Sequence, residues 1–473
     1  MLRKVFFAAL FTGLFVFCFP AIFAQSDNIG KTIDEYLTIR SAMGNFSGSI
    51  LVVKDGKNII RKGYGFADVE NRIPYTPETK QEVASISKMF TSMAALKLRD
   101  QGKLKLDEPI CLYIDNCPAA WQPILIQQLM RHTSGIPDYE EPLGLGSAKY
   151  LEFMVKPDAS ARIVENAKKL PLDFKPGEKF NYSNTAYIVL SCIIQKAARQ
   201  PFAAFVTKNI LHAAGMKDSG VIDSRNLPKG LAKGYSYESI SWGKALAGVP
   251  LTDGHLKQVP VISLTSPEGD AWLYTTVDDL YRWSQVMSGD IKFASMVEIS
   301  EIFTPGLGNY GYGWFIGEGF GRKRMRHNGG LPGYISDFIK FPDDKITIII
   351  FSNLDRARLG NISRDISSIV LGTPFDMPVR GAVIKLTSTQ ISKLEGDYRN
   401  SDGKLLTIRD QPDFLTAKLQ DRYTAGLIPL SATEFYFPLA DGKAIFTMDE
   451  SGKAVKINMR YSGEDHIAER ISR

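Results

Sequence analysis

Histidine and cysteine are scarce in this 473-residue chain, with only five and four residues respectively. The histidines are scattered without an H-E-x-x-H pair, and the cysteines do not occur at zinc-binding spacings. We therefore expect neither a metal site nor a cofactor. The net charge is also small, +6, with Lys and Arg alternating with Asp and Glu along the chain. This balance argues against nucleic acid as a partner.

The first 24 residues have a different composition from the rest. Arg3 and Lys4 precede a nearly unbroken apolar run over residues 5–19, and Ala24 offers a small residue for cleavage. This layout is typical of a secretory signal peptide, and the run is short for a membrane-spanning helix. We expect cleavage after Ala24, no stable membrane insertion afterwards, and a secreted or periplasmic protein.

Three cysteines remain after such cleavage. Cys111 and Cys117 bracket a short loop, and export would permit a disulfide between them. A bridge and a pair of free thiols are equally compatible with this spacing. Cys192 lies in an apolar stretch, which indicates packing.

The remaining chain divides into a mixed region and a β-rich tail. A hairpin pattern at 48–66 and strands at 334–341 and 345–351 flank a middle region of helical patterns, including 85–101 and 277–288. From about residue 387 short strands alternate with turn signals, which indicates a small all-β module. We predict a signal peptide at 1–24, a mixed main domain at 27–375 and a β domain at 387–473.

Ser85 and Lys88 form the strongest candidate for chemistry. They lie three residues apart at the start of a long apolar helix, so both side chains share one face. A buried lysine loses its proton more readily because desolvation disfavours the ammonium form. The amine can then act as a base toward the serine, and the helix N-terminus favours developing negative charge there.

The S-x-x-K spacing is weak evidence by itself. It recurs at Ser241–Lys244 and at Ser401–Lys404, where intervening glycines indicate turns. An N-cap role for Ser85 is the simpler alternative. Two further segments favour catalysis. The first is the segment Y-S-N, which follows a Pro-Gly turn and contains Tyr182 and Asn184.

The second supporting segment is H-N-G-G on a predicted strand, with His327, Gly329 and Gly330. Paired glycines allow a substrate backbone to lie against such a strand, although a bulge or a turn would also use them. Tyr182 can relay a proton, and the Asn184 amide can bind a carbonyl group. A core tyrosine and a capping asparagine are the simpler reading of those two residues.

S-I-S-K, Y-S-N and H-N-G, in this order, resemble the serine β-lactamase and penicillin-binding-protein superfamily, most closely its class C-like branch of D-peptidases and esterases. The resemblance spans roughly residues 48–371. It implies an α+β fold, with an antiparallel sheet flanked by helices and an all-helical lobe. The tail resembles the lipocalin-like barrel that some of these peptidases carry, and a passive stabilising role is the simplest one for it.

The resemblance also implies roles. Ser85 would be the nucleophile, Lys88 its base and Tyr182 the proton shuttle, while Asn184 would hold a substrate amide. The backbone N–H groups of Ser85 and Gly330 would form the oxyanion hole. His132 would be structural.

Two departures from the family pattern bear on the substrate. His327 stands where the β-lactamases and carboxypeptidases usually have a lysine, and histidine is only partly charged near pH 7. Gly269-Asp270-Ala271-Trp272 replaces a more glycine-rich stretch, so Trp272 either narrows the pocket or only packs.

These features predict a serine hydrolase acting through an acyl-enzyme on D-amino-acid peptides, amides or small esters. The alternative is a non-catalytic relative that binds peptidoglycan fragments or penicillin. An α/β-hydrolase is disfavoured because the chain has no G-x-S-x-G.

Overall fold

The protein is described by a computed structural model covering residues 20–471 except 155, 157, 224, 238–255, 260–268, 294–298, 356, 379–383, 385, 412–413, 421–422, 438–441 and 462–463. Most of the expected signal peptide, residues 1–19, and the S-x-x-K copy at Ser241 lie outside the described residues. No helix of the described part is long and apolar enough to cross a membrane.

The α-helices of the described part are α1 (Pro20–Ala42), α2 (Ser87–Asp100), α3 (Ile126–Met130), α4 (Glu140–Leu143), α5 (Ala148–Met154), α6 (Ala159–Ala167), α7 (Asn184–Ala198), α8 (Phe202–Val206), α9 (Val277–Ser288), α10 (Ile299–Ile302), α11 (Leu359–Leu371) and α12 (Ser388–Leu394).

The strands are β1 (Gly48–Lys54), β2 (Lys57–Tyr64), β3 (Phe66–Asp68), β4 (Ile73–Pro74), β5 (Gln81–Glu82), β6 (Gly220–Val221), β7 (Tyr235–Tyr237), β8 (Leu256–Gln258), β9 (Leu273–Thr275), β10 (Phe315–Gly319), β11 (Arg322–Leu331), β12 (Tyr334–Phe341), β13 (Ile346–Ser352), β14 (Gly396–Asn400), β15 (Leu405–Gln411), β16 (Phe414–Leu419), β17 (Tyr423–Pro429), β18 (Glu434–Phe437), β19 (Gly442–Met448), β20 (Ala454–Tyr461) and β21 (Glu464–Arg470).

A six-stranded antiparallel sheet joins the two ends of the mixed region. Its order is β10-β11-β12-β13-β1-β2, so the early hairpin pairs with a strand nearly 300 residues later along the chain. Apolar side chains of β1 and β13 pack with α1 and α11 on one face. The other face packs against α9 and the helical lobe. The expected α+β fold is confirmed.

Helix α2 is the centre of the helical lobe. Twelve of its fourteen residues are buried, and it packs against α7 and α8. The sequence predicted this helix from Ser85; the structure begins it at Ser87, after a 3₁₀ turn over Ala84–Ile86. Burial on nearly every side gives a side chain of this helix a low-dielectric environment.

The C-terminal strands β14 to β21 form a closed eight-stranded barrel, in which β14 pairs with β21. Buried residues such as Tyr398, Phe435 and Phe446 fill its interior. Closure removes the free sheet edges, as expected for a barrel. Ser401–Lys404 lies in the turn between β14 and β15, so this S-x-x-K copy is not on a helix.

The loop at 111–117 is closed by a disulfide between Cys111 and Cys117. Cys192 is not part of this disulfide and is partly buried against the main core.

Candidate active site

Ser85 lies in a strained turn immediately before α2. The preceding residue, Ala84, has a left-handed φ of 49°, which costs a non-glycine residue about 1 kcal/mol. From Gln81 through Leu98 every residue is buried except Ser85, which is partly exposed. The turn therefore presents one hydroxyl group to solvent from an otherwise buried segment.

Lys88 is fully buried and makes three polar contacts. Its Nζ lies 2.9 Å from Ser85 Oγ, 2.7 Å from Asn184 Oδ1 and 3.2 Å from the backbone oxygen of Asp270. Burial lowers the pKa of Lys88, and the charges of nearby carboxylates oppose this shift. The structure thus brings together Ser85, Lys88 and Asn184, three of the candidate residues.

Both charge states of Lys88 fit its three contacts, because an ammonium can donate to all three oxygens, but only the neutral amine can act as a base. An uncharged amine has two N–H bonds and one lone pair. The oxygens of Asn184 and Asp270 can only accept hydrogen bonds, so they take both N–H groups. The lone pair then faces Ser85 Oγ, which is the orientation that a general base requires.

Tyr182 lies beside this pair. Its hydroxyl hydrogen-bonds with Ser85, and Lys88 Nζ lies 5.0 Å from the centre of its ring. Desolvation raises the pKa of Tyr182 well above its ordinary value, and the bond to Ser85 opposes this only in part. Tyr182 therefore remains a protonated phenol at neutral pH. Of the two groups next to Ser85, Lys88 is therefore the candidate base and Tyr182 is a neutral phenol.

His132 holds Tyr182 in place, in agreement with its expected structural role. Its ring stacks on Tyr182 with 4.1 Å between ring centroids, and its Nδ1 accepts a hydrogen bond of 3.0 Å from the backbone N–H of Ser183. Burial lowers the pKa of His132 well below its ordinary value. Because Nδ1 accepts this hydrogen bond, it carries no proton, and the imidazole is neutral.

Asn184 is the first residue of α7 and contacts Lys88 through its side-chain oxygen. Its backbone N–H donates to Asp138 Oδ2 at 2.5 Å, and its side chain also hydrogen-bonds with Asp138. In this arrangement Asn184 orients Lys88. The role predicted from the sequence, holding a substrate amide, stays a prediction.

His327 lies on β11 with only 1% of its surface exposed. Its Nδ1 is 2.7 Å from the backbone oxygen of Asn328, so this nitrogen carries the hydrogen. Its Nε2 then accepts from the hydroxyl of Tyr310 at 2.9 Å. Burial lowers the pKa of His327 to about 3, so the ring is uncharged at neutral pH rather than partly charged.

Gly329 and Gly330 follow on the same strand, and they differ in what surrounds them. A Cβ on Gly329 would lie 2.1 Å from the Val83 oxygen and 3.0 Å from the Ser85 nitrogen, whereas one on Gly330 would meet nothing closer than 4.0 Å. Gly329 is thus needed because β11 contacts the turn that carries Ser85. Gly330 is exposed and free of such contacts.

Sequence reasoning missed a group of acidic residues near Lys88: Asp138, Glu140 and Asp270. Asp138 follows His132 by six residues, and Asp270 is the second residue of the Gly269–Trp272 stretch that departs from the family pattern. Closeness in the chain to these features was the available signal. Trp272 itself is fully buried and donates through Nε1 to Thr91 at 2.9 Å, so it packs against α2.

A Ser–Lys pair at the start of a buried helix, faced by a tyrosine and by a strand of an antiparallel sheet, defines the active-site serine proteins of the penicillin-recognising type. Comparison with known proteins agrees. The family model described as Beta-lactamase matches residues 34–365, and the chain belongs to this family.

Several relatives are similar over most of the chain. Penicillin-binding protein 4* of Bacillus subtilis (strain 168) is 28% identical over 420 residues, which cover 86% of this chain and 91% of that protein. The octameric penicillin-binding protein homologue from Pyrococcus abyssi has a TM-score of 0.63 at 23% identity, covering 93% of this chain and 100% of that one. D-amino acid amidase from Ochrobactrum anthropi SV3 has a TM-score of 0.60 at 20% identity, covering 73% and 99%. The two structural likenesses show the fold.

Proposed function

We propose that this protein is an exported serine hydrolase that forms an acyl-enzyme at Ser85. Its substrates are amide or ester bonds of D-amino-acid peptides or small esters. The observation that carries the proposal is the placement of Lys88, whose Nζ lies 2.9 Å from Ser85 Oγ while the oxygens of Asn184 and Asp270 accept hydrogen bonds from it.

Acylation follows from this arrangement. Lys88 takes the proton of Ser85 as Oγ attacks the substrate carbonyl carbon, and a tetrahedral oxyanion forms. The backbone N–H groups of Ser85 and Gly330 stabilise its charge. The leaving group then receives a proton from Tyr182, which regains one from Lys88, so that both residues return to their starting protonation states.

Deacylation uses the same groups with water in place of the leaving group. Water enters on the side where the leaving group departed, and its proton passes through Tyr182 to Lys88. The hydroxide adds to the acyl carbon, and Ser85 leaves with a proton from Lys88. The high pKa of Tyr182 supports its role as a relay that stays protonated between steps.

The electrostatics support a substrate without a carboxylate next to the scissile bond. His327 is neutral and is held by Tyr310 and by a backbone oxygen, so it supplies no cation to a carboxylate. Three acidic residues, Asp138, Glu140 and Asp270, lie close enough to Lys88 to act on its charge. Such a field disfavours anionic groups and favours neutral or amine-bearing ones.

Substrate turnover tests this proposal. The purified enzyme is assayed with D-alanine p-nitroanilide, its L-enantiomer, p-nitrophenyl acetate and a chromogenic cephalosporin, with Ser85→Ala as the control. We expect Ser85-dependent turnover of the D-anilide or the ester, and a smaller kcat/KM for the carboxylate-bearing cephalosporin. Stoichiometric penicillin labelling without any turnover would instead support the binding-protein alternative.

A further inference from the structure

The loop at 269–273 is fastened to the part of α2 that carries Lys88. Ser87 Oγ accepts hydrogen bonds from two backbone N–H groups of this loop, each at 3.0 Å. Thr91 Oγ1 donates to the backbone oxygen of the loop's first residue at 2.7 Å. These bonds hold Asp270 against Lys88, and the backbone oxygen of Asp270 is one of the acceptors of Lys88 Nζ.

The carboxyl group of Asp270 has few hydrogen-bond partners to offset the cost of its burial. Asp270 is 1% exposed, its Oδ2 accepts a hydrogen bond of 3.2 Å from Tyr139, and its Oδ1 has no side-chain partner among the described residues. Its own backbone N–H also stabilises the ionised carboxylate. A buried carboxylate normally accepts several hydrogen bonds or pairs with a cation. The neighbouring amine is Lys88, whose ammonium form opposes the protonation of this carboxyl.

We propose that Asp270 is a positioning residue that sets the protonation state of Lys88, and with it the pH range in which Ser85 is acylated. This inference rests on the proposed acyl-enzyme function. Asp270 acts through Lys88 and does not contact the reacting atoms.

The direction of the effect follows from charge. When Asp270 is ionised, it stabilises the ammonium form of Lys88, which has no lone pair for Ser85. When Asp270 is protonated, burial prevails and Lys88 is the free amine. Burial raises the pKa of Asp270 to about 7, so both forms are accessible near neutral pH. Two groups coupled in this way titrate as a pair.

Other titratable groups act on the pair and remain present in an Asp270 variant. They are Asp138, Tyr139, Glu140, Tyr182, His132 and His327. The two histidines are neutral, and the tyrosines stay protonated. Asp138 and Glu140 oppose the deprotonation of Lys88 in the same sense as Asp270, so removing Asp270 shifts the titration of Lys88 without abolishing it.

The test is the pH dependence of acylation by a fluorophosphonate probe, measured between pH 5 and 9 on the full-length protein. In Asp270→Asn, which keeps the shape and an acceptor for Tyr139, we expect the midpoint of the acidic limb to move down by about one pH unit. Tyr139→Phe removes the hydrogen bond of Oδ2 and should move it in the same direction. Glu141→Gln, an exposed neighbour of Glu140, is the matched control and should leave the midpoint unchanged.

A second measurement follows Lys88 without any acylation. The ¹³Cε resonance of Lys88, assigned by its loss in Lys88→Ala, is titrated in wild type and in Asp270→Asn. A lower midpoint in the variant supports the proposal. An unchanged midpoint in the folded variant would overturn it, even if the acylation rate fell, because a merely structural residue alters the rate and not the pKa. Loss of labelling in the wild type at every pH would contradict the proposed function instead.

Discussion

The two neighbouring glycines of β11 offer a sharp test of how the site is built. A Cβ on Gly329 would lie 2.1 Å from the Val83 oxygen, which is a backbone atom, whereas an ordinary contact is about 3.4 Å. Gly329 pairs with Ser336 of β12, and Ser336 Oγ donates to the same Val83 oxygen at 2.9 Å. Since the pairing with β12 holds the strand in place, the turn carrying Ser85 must move by about 1 Å.

Gly329→Ala should therefore damage acylation far more than Gly330→Ala. A displacement of about 1 Å at a reacting group costs roughly 100-fold in rate, and loss of an oxyanion donor costs roughly 100- to 1,000-fold. We expect a fall of this size in the rate of fluorophosphonate labelling for Gly329→Ala. Gly330→Ala keeps its N–H and gains a methyl group in open space, so its rate should stay within about threefold of wild type.

The assay compares labelling rates at pH 7.5 together with thermal unfolding of both variants. Overpacking should also lower the stability of Gly329→Ala by about 1–3 kcal/mol, so labelling is measured well below its unfolding temperature. Equal labelling rates for the two folded variants would refute the contact between β11 and the Ser85 turn as the reason for Gly329.

Three further results are expected. Lys88→Ala should abolish acylation of Ser85 while the protein remains folded, as judged by probe labelling and circular dichroism; near-normal labelling would contradict its role as base. Because the pKa of His327 is about 3 in the folded state and about 6.5 when unfolded, the unfolded chain binds an extra proton between these values. Stability should fall by ~2 kcal/mol from this group between pH 7.5 and 5, and His327→Gln should show a smaller loss in Tm; an equal loss would argue against a buried neutral ring. Replacing Cys111 and Cys117 by serine should lower the free energy of unfolding by about 2 kcal/mol and leave labelling unchanged, whereas loss of labelling would link this loop to the site.

Local patterns in the sequence predicted much of the fold. Helix α9 has the predicted bounds because Thr276 caps its start and Gly289, with a φ of 78°, ends it. The hairpin of β1 and β2 was also evident, as were β12 and β13. Closure of the barrel was not specified by these patterns, since β14 and β21 are separated by most of the module.

The site was predictable where spacing along the chain determines proximity, as for Ser85 and Lys88. It was less so where burial or distant contacts matter. Asp270 reaches Tyr139 and Lys88 across 131 and 182 residues, which no local pattern reveals. The charge state of His327 likewise depends on burial and on Tyr310, so the sequence indicated the residue but not its neutrality.

The central claim is that Ser85 is the nucleophile, and peptide mass spectrometry tests it most directly. The protein is incubated with a fluorophosphonate or a penicillin, digested, and the modified residue is located in wild type and in Ser85→Ala. We predict a single adduct on Ser85 in the wild type and none in the variant. An adduct on another residue, or labelling that persists in Ser85→Ala, would contradict the account.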